Sequence, residues 1–278
     1  MKFEKITLQT PEGASFKIRL YSRRQFTAFP DRRQWPIAVI FPGGGFTGIS
    51  EREVEPAALA FLAKGYQVVV VRYHLAVTTP FYPTAAVMGL TVLHYLRENA
   101  AMFHGDPTKI VTVGFSAGGH LVAVMNALGE QPEFLKQHGF TEQKLQPLAQ
   151  ILCYPVIDLR LGFPNDLKQA EKISPDQELW AAQNLVTAQT PPTFIWHTAT
   201  DELVPVLNTV VYITALTQHH VNLDSHIYSQ GVHGLAFANL ASSRANHPED
   251  IAPRAASWFE LALGWLRTCF ASSNQTEL

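Results

Sequence analysis

The segment Gly114-Phe115-Ser116-Ala117-Gly118 joins an apolar, strand-like run (residues 110–115) directly to a run with helical patterning (116–128). No other feature restricts the fold as tightly. A chain that passes from strand to helix at a single residue holds that residue in a strained backbone conformation. Glycines two positions to either side remove the Cβ atoms that would keep strand and helix apart. The first turn of the helix also carries N–H groups without an intrahelical acceptor, so negative charge beside Ser116 is stabilised. Ser116 is therefore a candidate nucleophile on a strand-to-helix elbow. The competing reading is a plain Gly-rich turn, which the strand and helix on either side disfavour.

The rest of the chain supplies the frame for such an elbow. Residues 3–8 and 15–21 alternate apolar and polar side chains around Pro11-Glu12-Gly13, the pattern of an antiparallel hairpin. A basic, Pro-containing stretch (23–36) leads into a buried strand at 37–41. A Gly-rich loop follows, then a helix over 54–64 that stops at Gly65. A strand is expected at 66–73, a helix at 83–99, further strands at 148–154 and 193–197, and a weaker one at 225–228. Asp106-Pro107 reads as the turn into the 110–115 strand. The closing helix, 255–269, places Trp258, Leu261 and Trp265 on one stripe. Apolar strands alternating with helices imply an α/β fold, with a mostly parallel central sheet covered by helices on both faces. No internal repeat is present, and a single domain over 1–278 is expected.

Composition narrows the class. With 47% hydrophobic and 16% charged residues the chain can fill a core. A net charge of -2 without a basic block argues against nucleic acid as a partner. No apolar run approaches the ~18 residues of a membrane span, and MKFEKITLQT lacks the apolar region of a secretory signal. Cys153 and Cys269 lack metal-type spacing, and Cys153 reads as a reduced core residue. The expectation is a cytoplasmic protein.

A serine hydroxyl needs a base, and the chain has eleven histidines. On elbows of the α/β-hydrolase kind the partners follow in the order serine, acid, histidine. That order removes His74, His94 and His104, and His120 lies too near Ser116 on the same helix. His233, in the small-residue loop Ser229–Gly234 after a strand, has the favoured position, because this fold gathers its site at the carboxyl ends of strands. His197 ends a strand and reads as a core or supporting residue. The acid should follow another strand, and Asp201 does so in Thr198-Ala199-Thr200-Asp201-Glu202. Asp158 is its rival, with a structural role at the start of the irregular segment 159–189. Pro42-Gly43-Gly44-Gly45-Phe46, directly after the 37–41 strand, stands where an oxyanion-binding loop belongs.

Taken in order, FPGGGF, SEREVEPAALAFLAKGYQVVVVRY, DPTKIVTVGFSAGGHL, YPVID, PTFIWHTATDELVP and GVHG resemble the acetyl-esterase branch of the α/β-hydrolase superfamily, the bacterial lipase/esterase or acetyl-xylan-esterase-like proteins. The resemblance runs from about residue 37 to 265. It implies Ser116, Asp201 and His233 as the triad, and Gly44, Gly45 and Ala117 as oxyanion donors through their backbone N–H groups. Some relatives carry histidine where Pro42 stands, and any role of that imidazole is lost here. It also implies small esters as substrates, with deacetylation of sugars a recurrent theme, and a chemistry that calls for no cofactor and no metal.

Segment 159–189 has the length of a small cap, yet Arg160, Asp166, Lys168, Glu171, Lys172, Asp176 and Glu178 make it too charged for a continuous apolar lid. Short acyl chains, acetyl to butyryl, are expected, with bulky Phe46 limiting the acyl side. Whether Phe46 and Tyr73 line the pocket or pack the core is left open by the sequence. Two rivals share the fold: a peptidase, and a catalytically idle scaffold. The aromatic closing helix leaves room for a homodimer.

Overall fold

The computed structural model of the chain describes residues 1–24 and 34–273, so most of the basic 23–36 connection lies outside the described residues. Eight runs pair into a sheet: β1 (Lys2–Gln9), β2 (Ser15–Ser22), β3 (Trp35–Phe41), β4 (Gln67–Arg72), β5 (Gly105–Phe115), β6 (Ala149–Cys153), β7 (Thr193–Thr198) and β8 (Leu223–Tyr228). Their order across the sheet is β1-β2-β4-β3-β5-β6-β7-β8. The expected hairpin forms one edge, with Phe3 opposite Tyr21, and β2 lies antiparallel to β4. All pairs from β4 to β8 are parallel. β5 starts earlier than the sequence pattern indicates, because Gly105 already pairs with Trp35. The register then slips around Asp106-Pro107 before Ile37 meets Ile110.

Parallel strands buried on both faces need apolar residues at every position, and β3 and β4 show why these runs are continuous. Ile37, Val39 and Phe41 of β3, with Val69 and Val71 of β4, pack on one face. Ala38, Ile40, Val68 and Val70 pack on the other. The helices are α1 (Glu55–Ala63), α2 (Thr84–Asn99), α3 (Ala117–Leu128), α4 (Pro132–Gln137), α5 (Leu167–Ile173), α6 (Leu207–Gln218), α7 (Pro253–Ala256) and α8 (Trp258–Ser273). α2, α3 and α6 cover the first face, and α1 with α8 covers the second. On α8 the buried stripe is Trp258, Ala262, Trp265, Leu266 and Cys269, whereas Leu261 is 41% exposed. At 100° per residue Leu261 lies about 60° round the helix from Trp258, at the margin of the stripe. No helix of the described residues is long and apolar enough to cross a membrane.

The ladder also aligns the carboxyl ends of the strands. Phe41 pairs with Gly114, Phe115 with Cys153, Cys153 with Trp196, and Thr198 with Tyr228. The loops after β3, β5, β7 and β8 therefore leave the sheet along one edge, the edge at which ligands meet open α/β sheets.

His120 of α3 is fully buried, its Nδ1 accepting from the Tyr82 hydroxyl at 2.7 Å and its Nε2 facing Trp180 O at 3.4 Å. Burial pushes the imidazole down from 6.5 to about 4. Between those two values the unfolded chain binds the extra proton and the folded chain does not, so stability is complete above the unfolded value and falls on acidification. Denaturant unfolding at pH 7 and pH 4.5 tests this. His120→Gln should remove about 2–3 kcal/mol of the wild-type loss between the two conditions, and an unchanged pH dependence would contradict it.

Candidate active site

Ser116 stands between β5 and α3 with φ 51° and ψ -118°, a conformation that L-residues rarely adopt. Neighbouring backbone holds it there. Its N–H donates to Cys153 O at 3.0 Å, and its carbonyl accepts from Gly119 and Val156. The two glycines of the motif are required by contact. A Cβ on Gly114 would sit 2.5 Å from Gly118 O, and one on Gly118 would sit 2.1 Å from Phe41 O. The helix starts at Ala117, one residue later than the pattern indicates.

The loop after β8 brings His233 to this serine. Thr198 and Thr200 hydroxyls donate to Gly231 O at 2.9 and 3.1 Å, which pins the loop to the end of β7. His233 Nε2 lies 2.8 Å from Ser116 Oγ, and its Nδ1 lies 2.6 Å from Asp201 Oδ2. A carboxylate only accepts, so Nδ1 carries the ring proton and Nε2 is left to accept from the serine hydroxyl. Asp201 itself is saturated. Its Oδ1 accepts from the N–H groups of Leu203 and Val204, and its Oδ2 also meets His197 Nε2 at 3.1 Å. Burial alone would raise this carboxyl, but the hydrogen bonds from His197 and His233 hold it far below the usual carboxylate range. His197 in turn is oriented by Thr209, whose hydroxyl lies 2.8 Å from Nδ1. Asp158 is elsewhere: Arg160 and Gln183 occupy both its oxygens.

The glycine loop after β3 lies against Ser116, since a Cβ on Gly43 would come within 2.9 Å of Ser116 Cβ. Gly44 and Gly45 have φ of 139° and 62°, the region that side chains resist. Among the described residues the N–H groups of Gly44, Gly45 and Ala117 have no intramolecular acceptor. The loop is fastened at its start: the Tyr73 hydroxyl donates to Pro42 O, and Gly43 N–H donates to Glu53 Oε2 at 2.6 Å. Tyr73 is thus a buried brace behind the loop. Phe46 is also fully buried, edge-on to Phe81 and His120 and stacked with Phe163 at 6.4 Å.

Phe163 comes from the 159–189 segment, and its ring tip lies 3.4 Å from where a Gly45 Cβ would stand. The seven charged residues of that segment are exposed, while Leu159, Ile173, Leu179 and Trp180 are buried beneath it. The segment is amphipathic, so its charge content hid an apolar inner face. Sequence reasoning also missed Glu53, which sits in the charged run SEREVE and reads there as surface, and Tyr154, which reads as the last residue of a strand. A cleft of about 760 Å³ opens beside His233, lined among others by Thr200, Glu202, Tyr228, Gln230 and Arg254.

If this geometry works as a triad, Ser116→Ala lowers kcat for p-nitrophenyl acetate by ~10⁴-fold or more with the fold intact. His233→Ala costs a similar amount and the double variant little more, because the two act as a unit. Asp201→Asn costs less than either, and Asp158→Asn changes kcat least. A severe Asp158→Asn beside a mild Asp201→Asn would overturn the assignment of the acid.

Known proteins resemble the chain over much of its length. The BD-FAE family model matches residues 28–216. The crystal structure of the carboxylesterase Cest-2923 from Lactobacillus plantarum superposes with a TM-score of 0.92 at 39% identity, covering 96% of this chain and 98% of that one. Endo-1,4-beta-xylanase B of Butyrivibrio fibrisolvens is 29% identical over 72% of this chain and 32% of its own length. The acetylxylan esterase of Xylanibacter ruminicola is 28% identical over 84% of this chain and 48% of its own. The chain thus spans a third to a half of these two curated relatives. With two thirds of its length matched by the family model, the chain belongs to the BD-FAE family, and it has the α/β-hydrolase fold of the carboxylesterase structure that superposes over nearly all of it.

Proposed function

We propose that the protein is a serine carboxylesterase that removes short acyl groups, acetyl to butyryl, from small esters, with acetylated carbohydrates as the favoured alcohol class. One observation carries the reading: an uninterrupted Ser116–His233–Asp201 hydrogen-bond series beneath a strained elbow. In the reaction, His233 Nε2 takes the Ser116 proton as Oγ attacks the ester carbonyl. The carbonyl oxygen becomes an oxyanion and is held by the N–H groups of Gly44, Gly45 and Ala117 at the start of α3. His233, now an imidazolium stabilised by Asp201, returns the proton to the departing alcohol. Water then attacks the acyl-enzyme with His233 again as base, and Ser116 is regenerated.

The two sides of the serine support different halves of the substrate. On the glycine-loop side, the Phe46–Phe163 stack closes against Gly45. Each extra methylene of an acyl chain contributes about 0.8 kcal/mol only where a pocket buries it. On the His233 side, the cleft is mostly apolar but carries Thr200, Glu202, Gln230 and Arg254, which offer hydrogen bonds to the hydroxyls of an alcohol, and the acetylxylan esterase among the relatives supports a sugar there. The two cysteines, unpaired and buried, support a reducing, cytoplasmic setting.

A p-nitrophenyl ester series from acetate to palmitate, kept below micelle-forming concentrations, tests the acyl assignment. The expected kcat/KM peaks between acetyl and butyryl and drops steeply by octanoyl, and Phe163→Ala moves the optimum to longer chains. A maximum at decanoate or beyond, or a Phe163→Ala optimum that stays put, would contradict it.

A further inference from the structure

Glu53 is a buried carboxyl beside the glycine loop that the triad does not use. It follows the glycine loop by a few residues and is only 3% exposed. A buried carboxylate without partners is costly, so its partners show what it is there to hold. Its Oε2 accepts from Gly43 N–H at 2.6 Å, and its Oε1 accepts from the Tyr154 hydroxyl at 2.8 Å. That hydroxyl in turn accepts from Ala236 N–H at 2.9 Å. The direction of each bond follows from the donors: Ala236 N–H reaches Tyr154, Tyr154 O–H reaches Glu53, and Gly43 N–H reaches Glu53 from the other side. Every group on Glu53 donates, an arrangement that matches an ionised carboxylate. Burial raises the carboxyl, and the Gly43 and Tyr154 hydrogen bonds oppose that rise.

The bridge links three loops that must keep register during turnover. Gly43 directly precedes Gly44 and Gly45. The Tyr154 ring packs edge-on against His233, with centroids 5.2 Å apart. Ala236 lies in the loop that carries His233, three residues beyond it. Gly43 is hemmed in on both sides, since a virtual Cβ on it would meet Ser116 Cβ at 2.9 Å and Glu53 Oε2 at 2.9 Å.

We infer that Glu53, acting through Gly43 and Tyr154, is a positioning residue that sets the oxyanion loop and the His233 loop relative to each other for the transition state. This rests on the esterase reading above. A donor misplaced by a fraction of an ångström weakens the hold on the oxyanion far more than on the ground-state ester. Loss of the bridge should therefore fall on kcat and leave KM nearly alone.

The test uses Glu53→Gln, Tyr154→Phe and the double variant, with kcat normalised to active sites titrated by the p-nitrophenol burst. In Glu53→Gln the amide NH₂ faces a donor, and kcat should fall by about 10- to 100-fold with KM within threefold. Tyr154→Phe should lose about 3- to 10-fold, and the double variant no more than Glu53→Gln, since both cut the same bridge. The inhibition constant of a trifluoromethyl ketone, which mimics the oxyanion, should rise in step with the loss of kcat/KM. A fold-stabilising role alone would lower the melting temperature and leave site-normalised kcat and inhibitor binding unchanged, and that result would overturn the inference. Should Glu53→Gln fail to fold, Tyr154→Phe decides: kcat within twofold of wild type overturns it. Should the wild-type chain hydrolyse no ester, the esterase reading fails on its own. The positioning role is then judged on ¹⁵N-glycine spectra of Tyr154→Phe, where unshifted Gly43, Gly44 and Gly45 resonances overturn it.

Discussion

The geometry of the site depends on a strained turn at Ser116 held closed from every side. A residue at φ 51° and ψ -118° relaxes unless its surroundings over-determine it. Here β6 supplies an acceptor for its N–H, α3 and the post-β6 loop supply donors for its carbonyl, and backbone from β3 presses against Gly118. These contacts exist because β3, β5 and β6 are parallel neighbours whose ends coincide. The apolar strands, the layered helices and the elbow at Ser116 are thus consequences of one another. A sheet whose ends were staggered by two residues would leave Ser116 free to relax into an ordinary helix cap.

A second dependence concerns buried charge. Asp201 is stable as a carboxylate because four donors converge on it, two of them imidazoles. His233 faces the Ser116 hydroxyl, whereas His197 is locked by Thr209 and Val204. Glu53 is handled the same way, with peptide and phenol donors in place of imidazoles. Both acids therefore spend their hydrogen-bonding capacity on loops, Asp201 on its own loop and the His233 loop, Glu53 on the glycine loop and Tyr154.

Much of this was legible in the sequence because local chemistry dictated it. The elbow glycines, the apolar strands and the order serine, acid, histidine are each visible as residue types at fixed positions. Asp201 and His233 were found because each sits just after a strand in a loop of small or polar residues. Contacts made across the sheet edge were not legible. Glu53 is surrounded in sequence by charged residues, and its burial against Gly43 and Tyr154 comes only from contacts made across the sheet edge. Phe163 stands in a segment that reads as polar because its seven charges outnumber its aromatic rings, yet the chain there folds with the charges outward. Leu261 shows the reverse case, an apolar residue assigned to the core stripe that lies at its margin.

The central claim is that Ser116 is the acyl-accepting nucleophile and that His233 activates it. Paraoxon reacts with a serine only when a neighbouring base raises its nucleophilicity. Treating the folded chain with paraoxon and locating the added diethylphosphoryl group by peptide mass spectrometry tests both parts together. The account predicts one group per chain, on Ser116, appearing at the rate at which esterase activity is lost, and no labelling of a folded His233→Ala variant. A label on any other residue, or full esterase activity in a chain phosphorylated at Ser116, would contradict it.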